Sequence, residues 1–205
     1  MPVTTLQNLS VPFEGEGNSS LLMPKLQYRF RVTFDGFGAG TLNELKVLQR
    51  EVIDLTRPNL TFEQITVDAY NSRSYLAGKH TWEPITINIR DDSSNNVQKA
   101  VGSQIQKQFD FFNQSSNSLG ADYKFTTNIE ILDGGNASDT ARVLERFEIL
   151  GCYIESANYN ALNYATSDVV SVSLTIRYDN ALQYGESNVP QGVGIPQITQ
   201  ARGPA

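Results

Sequence analysis

The chain has 205 residues, 40% apolar and 10% aromatic, which is enough for one domain with a sizeable core. Its formal charge of -6 and the lack of any Lys/Arg run exclude a groove that grips nucleic acid through its phosphates. No run of roughly 18 uncharged apolar residues offers a membrane-spanning helix, and the first residues lack the charged and apolar regions of a secretory signal, so maturation in a reducing cytoplasm is expected.

Residues 1–22 are rich in Gly, Ser, Asn and Pro and read as an N-terminal extension, which places the folded domain at 23–182. The domain opens with LQYRFRVTF (26–34), whose alternation of Leu26, Tyr28, Phe30, Val32 and Phe34 predicts a half-buried strand. LKVLQREVIDL (45–55) fits either period, and the Val and Ile at its end favour a strand. The following stretch, 54–80, reads as loop-rich. ITINIR (85–90) is a second alternating strand, with Ile85, Ile87 and Ile89 on one face. Residues 93–116 change period: Val97, Val101, Ile105, Phe109 and Phe112 recur every three or four residues, which predicts one amphipathic helix. Ser93, Ser94 or Asn95 would cap it, with Asp91 and Asp92 suited to the positive end of its dipole. YKFTTNIEI (123–131) and ARVLERFEIL (141–150) form a predicted hairpin across the turn Asp133-Gly134-Gly135-Asn136. In DVVSVSLTIRYD (168–179), Val170, Val172, Leu174, Ile176 and Tyr178 alternate with Ser171, Ser173, Thr175 and Arg177, the clearest strand of all. Residues 183–205 form a C-terminal extension. The class is therefore mainly β with one flanking amphipathic helix.

Chemistry finds little support. The only histidine, His80, has no G-x-S-x-G elbow to serve, and Gly78-Lys79-His80 lacks the glycine and Ser/Thr of a phosphate-binding loop. Gly36-Phe37-Gly38-Ala39-Gly40 does not match the dinucleotide fingerprint. Asp91-Asp92 and 133–139 lack the oxygen ladder of an EF-hand, and one His with one distant Cys is no zinc pattern. Cys152, flanked by Gly151, Tyr153 and Ile154, suits a buried apolar role. Trp82 with Pro84 reads as an anchor at the entry to the strand 85–90. No catalytic residue, cofactor or metal is assigned, and the chain is not expected to be an enzyme.

The order of elements carries more. The strand MPKLQYRFRVTF, then SRSYLAGKHTWEPITINIRDD, the helix NNVQKAVGSQIQKQFDFF and the closing block ERFEILGCYIESANYNALNYATSDVVSVSLTIRYDN together resemble the tail tube protein of contractile-tailed, T4-like bacteriophages over roughly residues 23–180. The resemblance implies an antiparallel β-barrel or two-sheet sandwich. It implies hexameric rings stacked into a hollow tube inside a sheath, with baseplate and terminator proteins as further partners. It implies DNA passing through the lumen without specific binding, a place in the virion after assembly in the host cytoplasm, and no membrane. By position in that pattern, Arg73, Tyr75 and Lys79 in 69–80 are candidate contacts to the next ring, with Trp82 beside them. Independently, the Ser/Thr/Arg face of 168–179 suits a wet channel wall, and a net acidic subunit suits a conduit for a polyanion. Edge strands able to pair with a neighbouring copy would close the ring. Other readings are a baseplate tube-initiator, a type VI secretion-like tube, or, from a different class, a carbohydrate-binding sandwich using Tyr70, Tyr75 and Trp82.

Overall fold

The computed structural model describes residues 24–38, 42–116, 122–133 and 141–185. The whole N-terminal extension, the turn residues 134–136 and residues 186–205 lie outside them. In chain order the elements are β1 (Phe30–Asp35), α1 (Leu42–Arg50), β2 (Val52–Leu55), β3 (Asn59–Ala69), β4 (Ser72–Glu83), β5 (Ile85–Arg90), α2 (Asn96–Gln108), β6 (Phe109–Asp110), β7 (Ser115–Ser116), β8 (Phe125–Leu132), β9 (Val143–Asn158), β10 (Ser171–Arg177) and β11 (Asn180–Gly185).

The main sheet runs β1-β8-β9-β10-β5-β2, with β11 also on β9, and every pair is antiparallel. Its central feature is β9, long enough at 16 residues to serve both halves of the sheet. Its first half pairs with β8 and β11, its second with β10. The bend between them is Gly151, with φ +69, a conformation that costs other residues a Cβ clash. Here a Cβ would also stand 2.2 Å from Asp179 Oδ2, in the corner where β10 passes into β11. Lys124 Nζ closes that corner on Asp179 at 2.6 Å, and this hydrogen bond raises the lysine pKa.

The alternating strands bury the faces that their sequences predict. Ile85, Ile87, Ile89, Val172, Leu174 and Ile176 from one half join Val32, Phe34, Ile129 and Ile149 from the other in a single core. Each such side chain contributes about 1.5–3 kcal/mol on burial. Phe34, Phe37 and Phe125 fill one end, with ring centroids 4.8–6.4 Å apart. Cys152 is fully buried, donates to Ile149 O at 3.3 Å, and burial pushes its thiol pKa up to about 11, so it stays protonated.

Among the described residues there are two helices, not one. The segment 45–55 divides: residues 42–50 are helical and bury Leu48, while the β-branched residues that suggested a strand belong to β2, which begins after Glu51. α2 buries Val97, Ala100 and Val101 but ends at Gln108, which leaves Phe109 half-exposed and Phe112 fully exposed. Its cap is Asp92 rather than Ser93, Ser94 or Asn95. Asn95 sits at φ 57 with no capping bond, and Asp92 Oδ1 accepts from Asn96 N at 2.7 Å and Val97 N at 3.3 Å. Desolvation opposes ionisation of Asp92, but these bonds and one from the Asn96 side chain outweigh it and hold its carboxyl below the usual value.

Two glutamines one turn apart on α2 replace missing strand partners. Gln104 is fully buried, accepts from Gly38 N at 2.6 Å and donates to Tyr123 O at 2.7 Å. Gln108 accepts from Ile154 N at 2.9 Å and donates to Ile154 O at 3.0 Å, on the stretch of β9 beyond the last β8 partner, Cys152. Residues 183–185, placed in the C-terminal extension by composition, complete β11 instead.

Candidate assembly surface

Residues 59–83, read as largely loop from sequence, form one long hairpin with Asn59 opposite Glu83 and Ala69 opposite Ser72. Its root is tied to the main sheet where Thr56 N donates to Thr86 O at 2.9 Å and Thr86 N donates to Thr56 Oγ1 at 2.8 Å. Beyond the root it forms a separate two-stranded sheet.

The register sorts its side chains onto two faces. One carries Leu60, Phe62, Gln64, Thr66 and Asp68 from β3 with Trp82, His80, Ala77, Tyr75 and Arg73 from β4. The other carries Thr61, Ile65, Val67 and Ala69 with Thr81, Leu76, Ser74 and Ser72. Between Phe62–His80 and Gln64–Ala77 the strand β3 spends one residue, Glu63, and β4 two, Gly78 and Lys79, so the bulge lies on β4. At Gly78 in this bulge a Cβ would come within 3.0 Å of Glu63 O and 3.2 Å of Ile65 Cγ1.

Only the root of the hairpin packs within the subunit. Trp82 is half-buried against the core, with its ring 5.7 Å from that of the buried Tyr178, whose hydroxyl pKa burial raises to about 12. Further out, Ile65, Val67 and Leu76 are 45–54% exposed on one face, Phe62 is 59% exposed on the other, and Tyr70 at the turn, with φ 34, is fully exposed. An exposed apolar patch such as that of Ile65, Val67 and Leu76 is the kind of surface that interacts.

The four sequence candidates therefore separate. Trp82 anchors the root. Arg73 pairs with Asp68 at 2.5 Å, exposed on the face that Tyr75, Phe62 and Trp82 share, and Lys79 lies in the bulge. The residues missed were Phe62, Ile65, Val67 and Leu76, whose apolar pattern changes face along β3. Tyr70, Tyr75 and Trp82 occupy the turn, the middle and the root of the hairpin, so they offer no common sugar-stacking platform. His80 is exposed beside the Phe62 and Trp82 rings, at centroid distances of 6.2 and 6.4 Å, not in a pocket. Among the described residues no group of three His, Cys, Asp or Glu side chains could hold a metal, and no helix is long and apolar enough to cross a membrane.

The margins of the main sheet supply a second kind of surface. Among the described residues β1 pairs only with β8, β2 only with β5 and β11 only with β9. A cleft of about 530 Å³ opens where the first two approach, lined by Lys25, Arg29, Phe30, Leu55, Arg57 and Ile129 among others.

No protein-family model matches the chain, and no curated protein sequence does. Solved structures do match. A chain of the sheath–tube complex of an extracellular contractile injection system, PVC, in its extended state aligns with a TM-score of 0.58 at 12% identity, over 79% of this chain and 92% of that one. The tube-terminating cap of the anti-feeding prophage aligns with a TM-score of 0.59 at 13% identity, over 84% and 98%. The PVC sheath/tube terminator aligns at 0.55 and 11%, over 81% and 100%. The fold is that of contractile-system tube proteins. Within this fold the β3–β4 hairpin carries exposed apolar side chains, and among the described residues the margins of β1, β2 and β11 have no strand partner.

Proposed function

We propose that the chain is the tube subunit of a contractile phage tail, closing into hexameric rings that stack into a hollow conduit for the genome. The observation that carries this reading is the set of exposed apolar side chains on the hairpin, presented by a fold that aligns with nearly the full length of the contractile-system chains. A subunit that worked alone would leave those side chains in water at a cost of about 25 cal/mol per Å². Stacked rings cover them.

The unpaired margins of β1, β2 and β11 are the edges available for pairing around a ring, which turns an aggregation hazard into closure. The net charge of -6 suits a lumen that DNA passes without sticking. Sheath, baseplate and terminator are the partners such a tube needs, its place is the virion tail, and the protein acts without catalysis.

The test is electron microscopy of the purified full-length chain at high concentration, where rings and tubes are expected. A protein that stays strictly monomeric under those conditions removes the proposal. A second reading, as a ring that ends or starts the tube, draws on the alignment with the tube-terminating cap, which equals that with the sheath–tube complex. Such a subunit would form rings that do not elongate.

A further inference from the structure

We infer that the surface receiving the hairpin is the β9–β10 loop, residues 159–170, of a second copy in the adjacent ring. The inference rests on the stacking of rings proposed above and names the missing half of that contact.

The register places the two surfaces at opposite ends of the same strands. β5 runs antiparallel to β10, with Ile85 opposite Ile176 and Arg90 opposite Ser171. The hairpin enters β5 through Pro84, just before Ile85, and its Trp82 lies on Tyr178, so it leaves from the Ile176 end. The loop 159–170 enters β10 at Ser171, and Asp91 N donates to Val170 O at 2.9 Å to hold it at the Arg90 end. At about 3.3 Å per residue the two ends are roughly 20 Å apart.

The loop is apolar, exposed and held in shape. Leu162 is 82% exposed and Tyr164 wholly so, with Tyr159, Val169 and Val170 exposed beside them. Asn160, at φ 53, donates from Nδ2 to Ser171 O at 2.9 Å and to its Oγ at 3.0 Å, and Asn158 Oδ1 accepts from Asn160 N at 3.0 Å. Asn163 Oδ1 accepts from Ala165 N at 2.9 Å. These bonds frame a depression of about 460 Å³ with Leu162, Tyr164, Val169 and Val170 among its lining residues.

Size and charge both permit the contact. With side chains of roughly 150–250 Å², the exposed fractions give roughly 500 Å² for Ile65, Val67 and Leu76 with Tyr70 at the turn and roughly 700 Å² for the loop, or roughly 1,200 Å² together, the lower end of a specific interface. The outer hairpin neutralises Arg73 with Asp68 internally, and residues 159–170 carry one charge, Asp168, so neither side buries an uncompensated cluster. Geometry selects the mode. A hairpin that met another hairpin would stop at two copies, whereas unlike patches at opposite ends of one chain repeat without limit along an axis.

The test uses the full-length chain carrying Leu162→Asp and Tyr164→Asp, with Phe112→Asp as a comparison on the other exposed aromatic turn. Sedimentation and electron microscopy should show rings at the wild-type yield and at least a tenfold loss of stacked tubes for the double variant, with tubes retained by Phe112→Asp. Wild-type tube yield from the double variant overturns the inference, as does loss of its rings, which would make the loop a lateral contact. Loss of tubes from Phe112→Asp alone overturns it as well. As a second measurement, Leu76→Cys and Leu162→Cys chains with different tags are mixed and oxidised, while the native Cys152 is buried. A disulfide joining the two tags in assembled tubes supports the contact, and its absence there overturns it. Wild-type protein that forms no rings at all removes the tube reading itself, a result separate from any of these.

Discussion

The strand β5 and the hairpin strand β3 both alternate apolar and polar residues, yet Ile85, Ile87 and Ile89 are wholly buried while Ile65 and Val67 are about half exposed. Alternation specifies that a strand has an apolar face. It does not specify whose surface will cover that face. In β5 the cover is the rest of the same chain, whereas among the described residues none covers the outer hairpin.

The largest effect that separates the two regions is expected in the core. Ile87→Ala should cost about 2–5 kcal/mol in urea unfolding, whereas Ile65→Ala should change monomer stability by no more than about 0.5 kcal/mol while weakening assembly. Equal costs to folding would erase the distinction. Trp82 stands at the boundary, half-buried against Tyr178, and Trp82→Ala should cost about 2 kcal/mol and also loosen the hairpin. Hydrogen exchange should then report faster opening of 59–83 while the amides of 85–90 keep their protection.

A third effect belongs to the core alone. The Cys152 thiol ionises near 9 when unfolded and near 11 when folded, so stability is whole below pH 9 and falls as pH rises from 9 to 11. At 1.36 kcal/mol per pH unit the loss is on the order of 2 kcal/mol, and Cys152→Ala should remove that part of the alkaline slope in denaturant titrations. The smallest effect is at the α2 cap. The Asp92 carboxyl is held below its ordinary value, so its contribution is present above that value and lost as pH falls through the lower folded one. Circular dichroism should show α2 fraying in acid, and Asp92→Ala should reproduce the fraying at neutral pH.

The sequence made the core legible because each core strand has one continuous apolar face. Residues 85–90 and 171–177 follow an unbroken period of two, and 96–108 an unbroken helical one. The hairpin escaped because the apolar residues of β3 change face between Phe62 and Ile65, and the bulge at Gly78 and Lys79 breaks the alternation of the facing strand. α1 escaped because Glu51 joins a short helix to a short strand, and the Val and Ile of β2 lent their preference to both. For the surface itself, position in the resemblance pointed to Arg73, Tyr75 and Lys79, but in the structure Arg73 is satisfied by Asp68 while Ile65, Val67 and Leu76 stay exposed on the opposite face. Contacts across a ring need a second copy, so one chain's pattern names the exposed face and not its mate.

Gln108 adds a consequence for growth. Its side-chain amide presents to Ile154 the donor and acceptor that an incoming strand would offer, so this margin of β9 is stoppered from within. In the proposed ring, copies joining side by side would thereby be steered to β1, β2 and β11, and a subunit stripped of its glutamine plug, as in Gln108→Ala, would gain an extra docking rim and drift from closed annuli toward irregular ribbons.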